Sequence, residues 1–150
     1  MQQLYRENPN LKRANVQIEF TKKQIQEYQK CSEDPVYFTE SYVKIISLDE
    51  GLIPFKLYSF QRQMMWTFHT ERFTICKLPR QSGKSTTIIA YLLHFCLFNP
   101  TVSVAILANK AVVARDLLGR LQLAYEHLPK WLQQGVMTWN KGSLELENGS

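Results

Sequence analysis

The chain has 150 residues, 45% hydrophobic and 21% charged, enough for about one domain with its own core. This balance excludes a disordered tail, a collagen-like repeat and a coiled-coil rod. Against 13 Asp and Glu stand 18 Lys and Arg, a net charge of +5 that suits a polyanionic partner without requiring one.

Cys31, Cys76 and Cys96 are odd in number and share no C-x-x-C spacing, which argues against a disulfide framework and a structural zinc site. The apolar stretch at residues 88–98 is interrupted by His94 and is too short to span a bilayer. The first residues have no apolar run of the secretory kind. The expectation is a soluble intracellular protein without a membrane partner.

In chain order, residues 1–19 are polar, with Pro9 and the basic run Asn10-Leu11-Lys12-Arg13-Ala14-Asn15, and read as an arm laid over another element. Thr21 and Gln24 form a capping box, with Phe20 and Ile25 as the matching hydrophobic staple, so a helix is predicted over 21–31. Asp34 followed by Pro35 starts a second helix ending near Val43. Residues 45–50 mimic an apolar strand ending in Asp49-Glu50, but Asp49-Glu50-Gly51 is read as a turn. A third helix is predicted over 59–70, with Phe60, Met64 and Phe68 on one face and Met64, Met65 and Trp66 read as core.

Residues 73–76 are a short β-favouring run, followed by a loop over 77–82. Residues 83–98 form a helix that is apolar nearly all round and hence buried, with His94 packed in the core. A second buried strand is predicted over 102–107. An amphipathic helix over 110–127 follows, with Val113, Leu117, Leu121, Ala124 and Leu128 on its apolar stripe. Lys110, Arg115 and Arg120 read as its solvated face. Strand, helix, strand, helix predicts an α/β fold whose parallel sheet is covered by helices. Residues 136–139 and 143–146, joined by Asn140-Lys141-Gly142, read as a hairpin. Glu145 and Glu147 alternate with leucines and are expected on its outer side.

The strongest chemistry is Leu78-Pro79-Arg80-Gln81-Ser82-Gly83-Lys84-Ser85, which carries the second half of a phosphate-binding loop between a predicted strand and a predicted helix. Gly83 lacks a Cβ, so backbone N–H groups can close on a phosphate, and the following helix N-terminus adds positive potential. Lys84 is suited to the β- and γ-phosphates of ATP, and the Ser85 hydroxyl to Mg²⁺. The predicted cofactor contacts from this loop are Arg80, Gln81, Ser82, Gly83, Lys84, Ser85 and Thr86. Leu78 stands where the ordinary pattern has its first Gly, so the first turn of the loop must differ from the standard one.

Pro79-Arg80-Gln81-Ser82-Gly83-Lys84-Ser85 resembles the deviant Walker A loop of large terminase subunits, the DNA-packaging motors of tailed phages. Asn10-Leu11-Lys12-Arg13-Ala14-Asn15, Tyr58 with Phe60-Gln61-Arg62, Ile106-Leu107-Ala108 and Trp139-Asn140-Lys141-Gly142-Ser143 resemble the T4-like branch in the same order. The resemblance implies a P-loop NTPase-type parallel sheet, incomplete in this chain, with residues 1–57 an N-terminal arm and helical segment and residues 58–150 the front of the ATPase core. It implies a motor that hydrolyses ATP with Mg²⁺ to drive double-stranded DNA into a procapsid, and a parent protein that is also a nuclease. Its partners would be the portal protein and procapsid, the small terminase subunit and further motor copies, in the cytoplasm of the host cell. Arg80 would act as an arginine finger on the γ-phosphate, beside Lys84 as the second catalytic residue.

Tyr58 and Gln61 resemble the adenine-recognition motif of terminases and helicases. The Gln61 amide both donates and accepts, matching the edge of adenine, and an aromatic such as Tyr58 can stack on the base. A superfamily 2 helicase or translocase shares these elements and is the alternative enzyme reading; a non-catalytic docking fragment is the alternative of another class. ATP hydrolysis also needs an Asp for the metal and a Glu for the attacking water, and no such pair follows Lys84. The expectation is therefore the front part of a motor domain, inactive by itself.

Overall fold

The computed structural model describes residues 4–47 and 49–150. The first three residues of the arm and Leu48 of the 45–50 segment lie outside the described residues. The chain is mixed α/β. Helices α1 (Lys22–Glu33) and α2 (Pro35–Tyr42) precede strands β1 (Lys44–Ser47) and β2 (Gly51–Pro54). Helices α3 (Ser59–Thr70), α4 (Lys84–Phe98) and α5 (Ala111–Glu126) follow, then strands β3 (Val136–Trp139) and β4 (Leu144–Leu146).

Local chemistry sets the helix starts. Thr21 Oγ1 accepts from Gln24 N–H at 3.2 Å, and Gln24 Oε1 accepts from Thr21 N–H at 2.9 Å, the reciprocal capping box. Asp34 Oδ1 accepts from Tyr37 N–H at 2.8 Å, with Pro35 at the first helical position. Phe20 and Ile25, the predicted staple pair, are both largely exposed, and the Phe20 ring meets Tyr28 edge-on at 6.3 Å.

Helix α4 is the centre of the packing and touches α2, α3 and α5. Leu93 and Leu97 on α4 are buried together with Phe38 of α2, Met65 of α3 and Tyr125 of α5. Each such side chain contributes roughly 1.5–3 kcal/mol by leaving water. This single core draws Leu11, Phe38 and Phe55 from before residue 58 and α4, α5, β3 and β4 from after it. His94 is in the core as expected, 1% exposed, with its Nε2–H donating to Cys31 O at 2.9 Å. Trp66 is not core: Met64 and Met65 are buried, and one further helical step turns Trp66 to the surface.

Both sheets are two-stranded and antiparallel. β1 pairs with β2, a pairing not predicted, through the turn expected near residues 49–50. β3 pairs with β4, Trp139 opposite Leu144, and Asn140 Oδ1 accepts from the N–H groups of Gly142 and Ser143 at 2.8 Å to close the turn. The arm lies on this hairpin, with Val136 N–H donating to Lys12 O at 2.9 Å and Leu11 buried beneath.

Two predicted strands are absent. Residues 73–76 and 102–107 carry no strand pairing among the described residues, and no parallel sheet forms there. Several of their apolar side chains lie open, Ile75 97% exposed, Leu107 88% and Phe73 83%, while Ile106 packs partly against the core. A β-strand is a property of a pair, whereas an apolar β-favouring run is a property of one segment. Glu147 departs from the outer face as well. β4 ends at Leu146, and the Glu147 carboxylate turns to the arm, accepting from Gly135 N–H at 2.7 Å, Asn15 N–H at 2.9 Å and Lys12 Nζ at 3.1 Å.

Candidate functional site

The loop before α4 is built from left-handed backbone. Gln81 has φ 61° and Gly83 φ 75°, with Ser82 between them. Such alternation turns successive N–H groups to one side and makes an anion-binding concavity. Ser82 N–H turns toward Pro79 O in the turn at residues 80–81; among the described residues the N–H groups of Gln81, Gly83, Lys84 and Ser85 meet no acceptor, and the first α4 bond is Thr87 N–H to Gly83 O at 3.0 Å. The positive end of the α4 dipole falls on the same spot. Ser82 Oγ is buried there without a hydrogen-bond partner. A buried hydroxyl without a partner carries a penalty of roughly 1–3 kcal/mol that a bound acceptor removes.

Lys84 opens α4, and its ammonium folds back to donate to Pro79 O at 3.1 Å. The lysine thus closes the ring of the loop with an exposed hydrogen bond. Ser85 and Thr86 follow in the first helical turn, both half-buried. Arg80 is exposed.

Beside the loop lies a cleft of about 730 Å³, lined from the loop by Gln81, Ser82, Gly83 and Thr86 and from α3 by Tyr58, Phe60 and Gln61. Tyr58 and Phe60 lie nearly parallel, 10° between planes and 6.0 Å between centroids. The third wall is the β1–β2 hairpin, with Ile45, Glu50, Ile53 and Lys56. Sequence reasoning missed this wall; the signal available was the Asp49-Glu50-Gly51 turn flanked by apolar runs. Of the predicted contacts, the structure gathers Tyr58, Gln61, Gln81, Ser82, Gly83 and Thr86 around one cleft, while Arg80, Lys84 and Ser85 adjoin it without lining it.

Gln61 is 2% exposed, and both ends of its amide are engaged. Oε1 accepts from Tyr58 N–H at 2.9 Å, capping α3, and Nε2 donates to Ser82 O at a long 3.5 Å. Glycine suits Gly83's φ of 75°, and a Cβ there would stand 2.6 Å from Gln61 Nε2 and push that amide from its place.

The donor set suits a phosphate: unpaired N–H groups, a buried hydroxyl and a lysine. For Mg²⁺ the loop offers the Ser85 hydroxyl, with phosphate oxygens and water to complete the shell. Among the described residues no cluster of three His, Cys, Asp or Glu side chains is placed to hold a metal ion. No protein-family model matches the chain.

Proposed function

We propose that the chain binds Mg·ATP at the Gln81–Thr86 loop, as the nucleotide-binding part of a motor ATPase of the large-terminase type that packages double-stranded DNA. The observation that carries this reading is the row of unpaired N–H groups at the α4 N-terminus, with Ser82 Oγ buried and partnerless among them. The loop amides and Lys84 hold the β- and γ-phosphates, Ser85 supplies a hydroxyl to Mg²⁺, and the base lies in the cleft against Tyr58 and Phe60. Magnesium supplies neutralisation of phosphate charge when bound. Arg80 is the γ-phosphate finger in the hydrolysing form. In this reading residues 73–76 and 102–107 are strands of a P-loop-type parallel sheet. The partners are double-stranded DNA, portal and procapsid, the small terminase subunit and further motor copies, in the host cytoplasm.

Calorimetric titration tests the binding step. Wild type takes up Mg·ATP, and ligand at about 100 times Kd stabilises it by about 2.7 kcal/mol. Lys84→Ala weakens binding roughly 10- to 100-fold, the worth of a hydrogen bond to a charged group. A folded wild type with no nucleotide-dependent heat or thermal shift overturns the reading. The exposure of Phe73, Ile75 and Leu107 favours a second reading, a non-catalytic docking module, in which nucleotide has no effect.

A further inference from the structure

We infer that Gln61 is a positioning residue that latches the phosphate loop to the base-side cleft, rather than a reader of the base edge. The inference rests on the proposal that this loop binds nucleotide. Its support is the internal use of the amide. Oε1 accepts from Tyr58 N–H at 2.9 Å and Nε2 lies 3.5 Å from Ser82 O, so each atom commits one of its two hydrogen-bonding positions to the protein, and these two partners fix the plane of the amide. At 2% exposed, the group has no water to substitute for a lost partner.

The contact also has a shape. The absent Cβ of Gly83 leaves the space that Gln61 Nε2 fills, 2.6 Å from where that carbon would stand. The loop's two left-handed residues, Gln81 and Gly83, flank the carbonyl that Gln61 holds. Fixing the Ser82 carbonyl fixes the peptide plane whose other end is the Gly83 N–H, one of the unpaired donors of the concavity. Gln61 therefore sets the aim of a phosphate-binding amide from the far side of the loop. Because Tyr58 N–H is held by the same amide, a ligand against Tyr58 and Phe60 is coupled to phosphate affinity through one side chain, and the coupling is reciprocal.

The latch and the base reader part company on a ligand that has no base. Gln61→Glu keeps the acceptor for Tyr58 N–H and removes the donor to Ser82 O; Gln61→Met removes both at similar volume. Each is titrated with magnesium tripolyphosphate, Mg·ATP and Mg·GTP, and its melting temperature is recorded. The latch predicts that tripolyphosphate and ATP weaken by the same factor, roughly tenfold, with the ATP-to-GTP preference unchanged. Loss confined to ATP, with tripolyphosphate binding intact, overturns the latch and restores the base reader. A lowered melting temperature with unchanged affinities overturns it in favour of a purely structural cap. Should the variants fail to fold, the wild type answers by NMR. The Gln61 side-chain amide resonances shift on adding tripolyphosphate alone; resonances that move with adenosine and not with tripolyphosphate overturn the latch. A wild type that binds none of these ligands removes the nucleotide reading itself, a result distinct from a wild type that binds them and variants that bind equally well.

Discussion

At the scale of single residues, Arg80 and His94 mark the two extremes of exposure for a charged or titratable group. Arg80 is exposed at the rim of the loop, where a guanidinium costs little to hold until a phosphate arrives. On the proposed ATPase reading, Arg80→Ala in the hydrolysing protein lowers kcat by roughly 10³- to 10⁵-fold while Mg·ATP affinity stays within about threefold, because a finger acts chiefly on transition-state charge. Steady-state kinetics check this; a raised KM with kcat intact makes Arg80 a binding residue only. His94 is the opposite case. Burial pushes its imidazole down to about 4 from the ordinary 6.5, with the charge of His69 adding to the effect and Cys31 O, Ser32 and Asp34 opposing it. The folded state thus resists the proton that the unfolded chain takes up. The stability held above pH 6.5 is lost as the pH falls from there toward 4, by roughly 3 kcal/mol. Denaturant titrations of wild type and His94→Leu at pH 7.5 and 4.5 isolate the effect: the variant loses less stability over that interval than the wild type.

At the scale of elements, the arm and the hairpin hold each other through one carboxylate. Burial opposes the charge on Glu147, but the N–H groups of Gly135 and Asn15 and the Lys12 ammonium outweigh it and hold the carboxyl below its usual range. This contribution is present above the ordinary carboxylate value and fades as the pH falls through the lowered one. Gln133 completes the clamp, accepting from Lys12 N–H at 3.0 Å and donating to Asn10 O at 2.9 Å. Glu147→Ala leaves two backbone donors and a lysine without their acceptor and destabilises the chain by roughly 1–3 kcal/mol. A Cβ at Gly135 would stand 2.5 Å from both Ala14 Cα and the Glu147 carboxylate, so Gly135→Ala acts on the same contact by pushing the arm away. Chemical denaturation measures both, and limited proteolysis between residues 4 and 20 shows whether the arm has been released.

At the scale of the whole molecule, the core is well covered on α4 but the β-favouring segments are not. Ile75 and Leu107 are almost wholly exposed, and each leaves apolar area in water worth roughly 1.5–3 kcal/mol if covered. Sedimentation velocity across a range of concentrations should show self-association of the isolated chain. Ile75→Lys and Leu107→Lys should suppress it and change the unfolding free energy by less than about 0.5 kcal/mol, as befits surface positions. Unchanged association in the variants shows that another face makes the contact.

The sequence by itself determined the features that rest on neighbours in the chain. Thr21 with Gln24, Asp34 with Pro35 and the Asn140 turn are written in adjacent residues, and those caps and that turn formed as read. The burial of α4 was legible in its nearly uninterrupted apolar face. Tertiary structure decided what depends on residues far apart. Residues 102–107 read as a strand, but pairing requires a second backbone alongside, and the described chain places none there. Glu147 read as solvent-facing by alternation, until the arm from more than a hundred residues away brought Lys12 and the Asn15 N–H to it. Gln61 looked like a free amide beside a base; packing alone placed Ser82 O and Gly83 against it. Periodicity and caps are local, so sequence carries them. The partner of a buried polar atom is chosen by the fold, and no spacing along the chain names it.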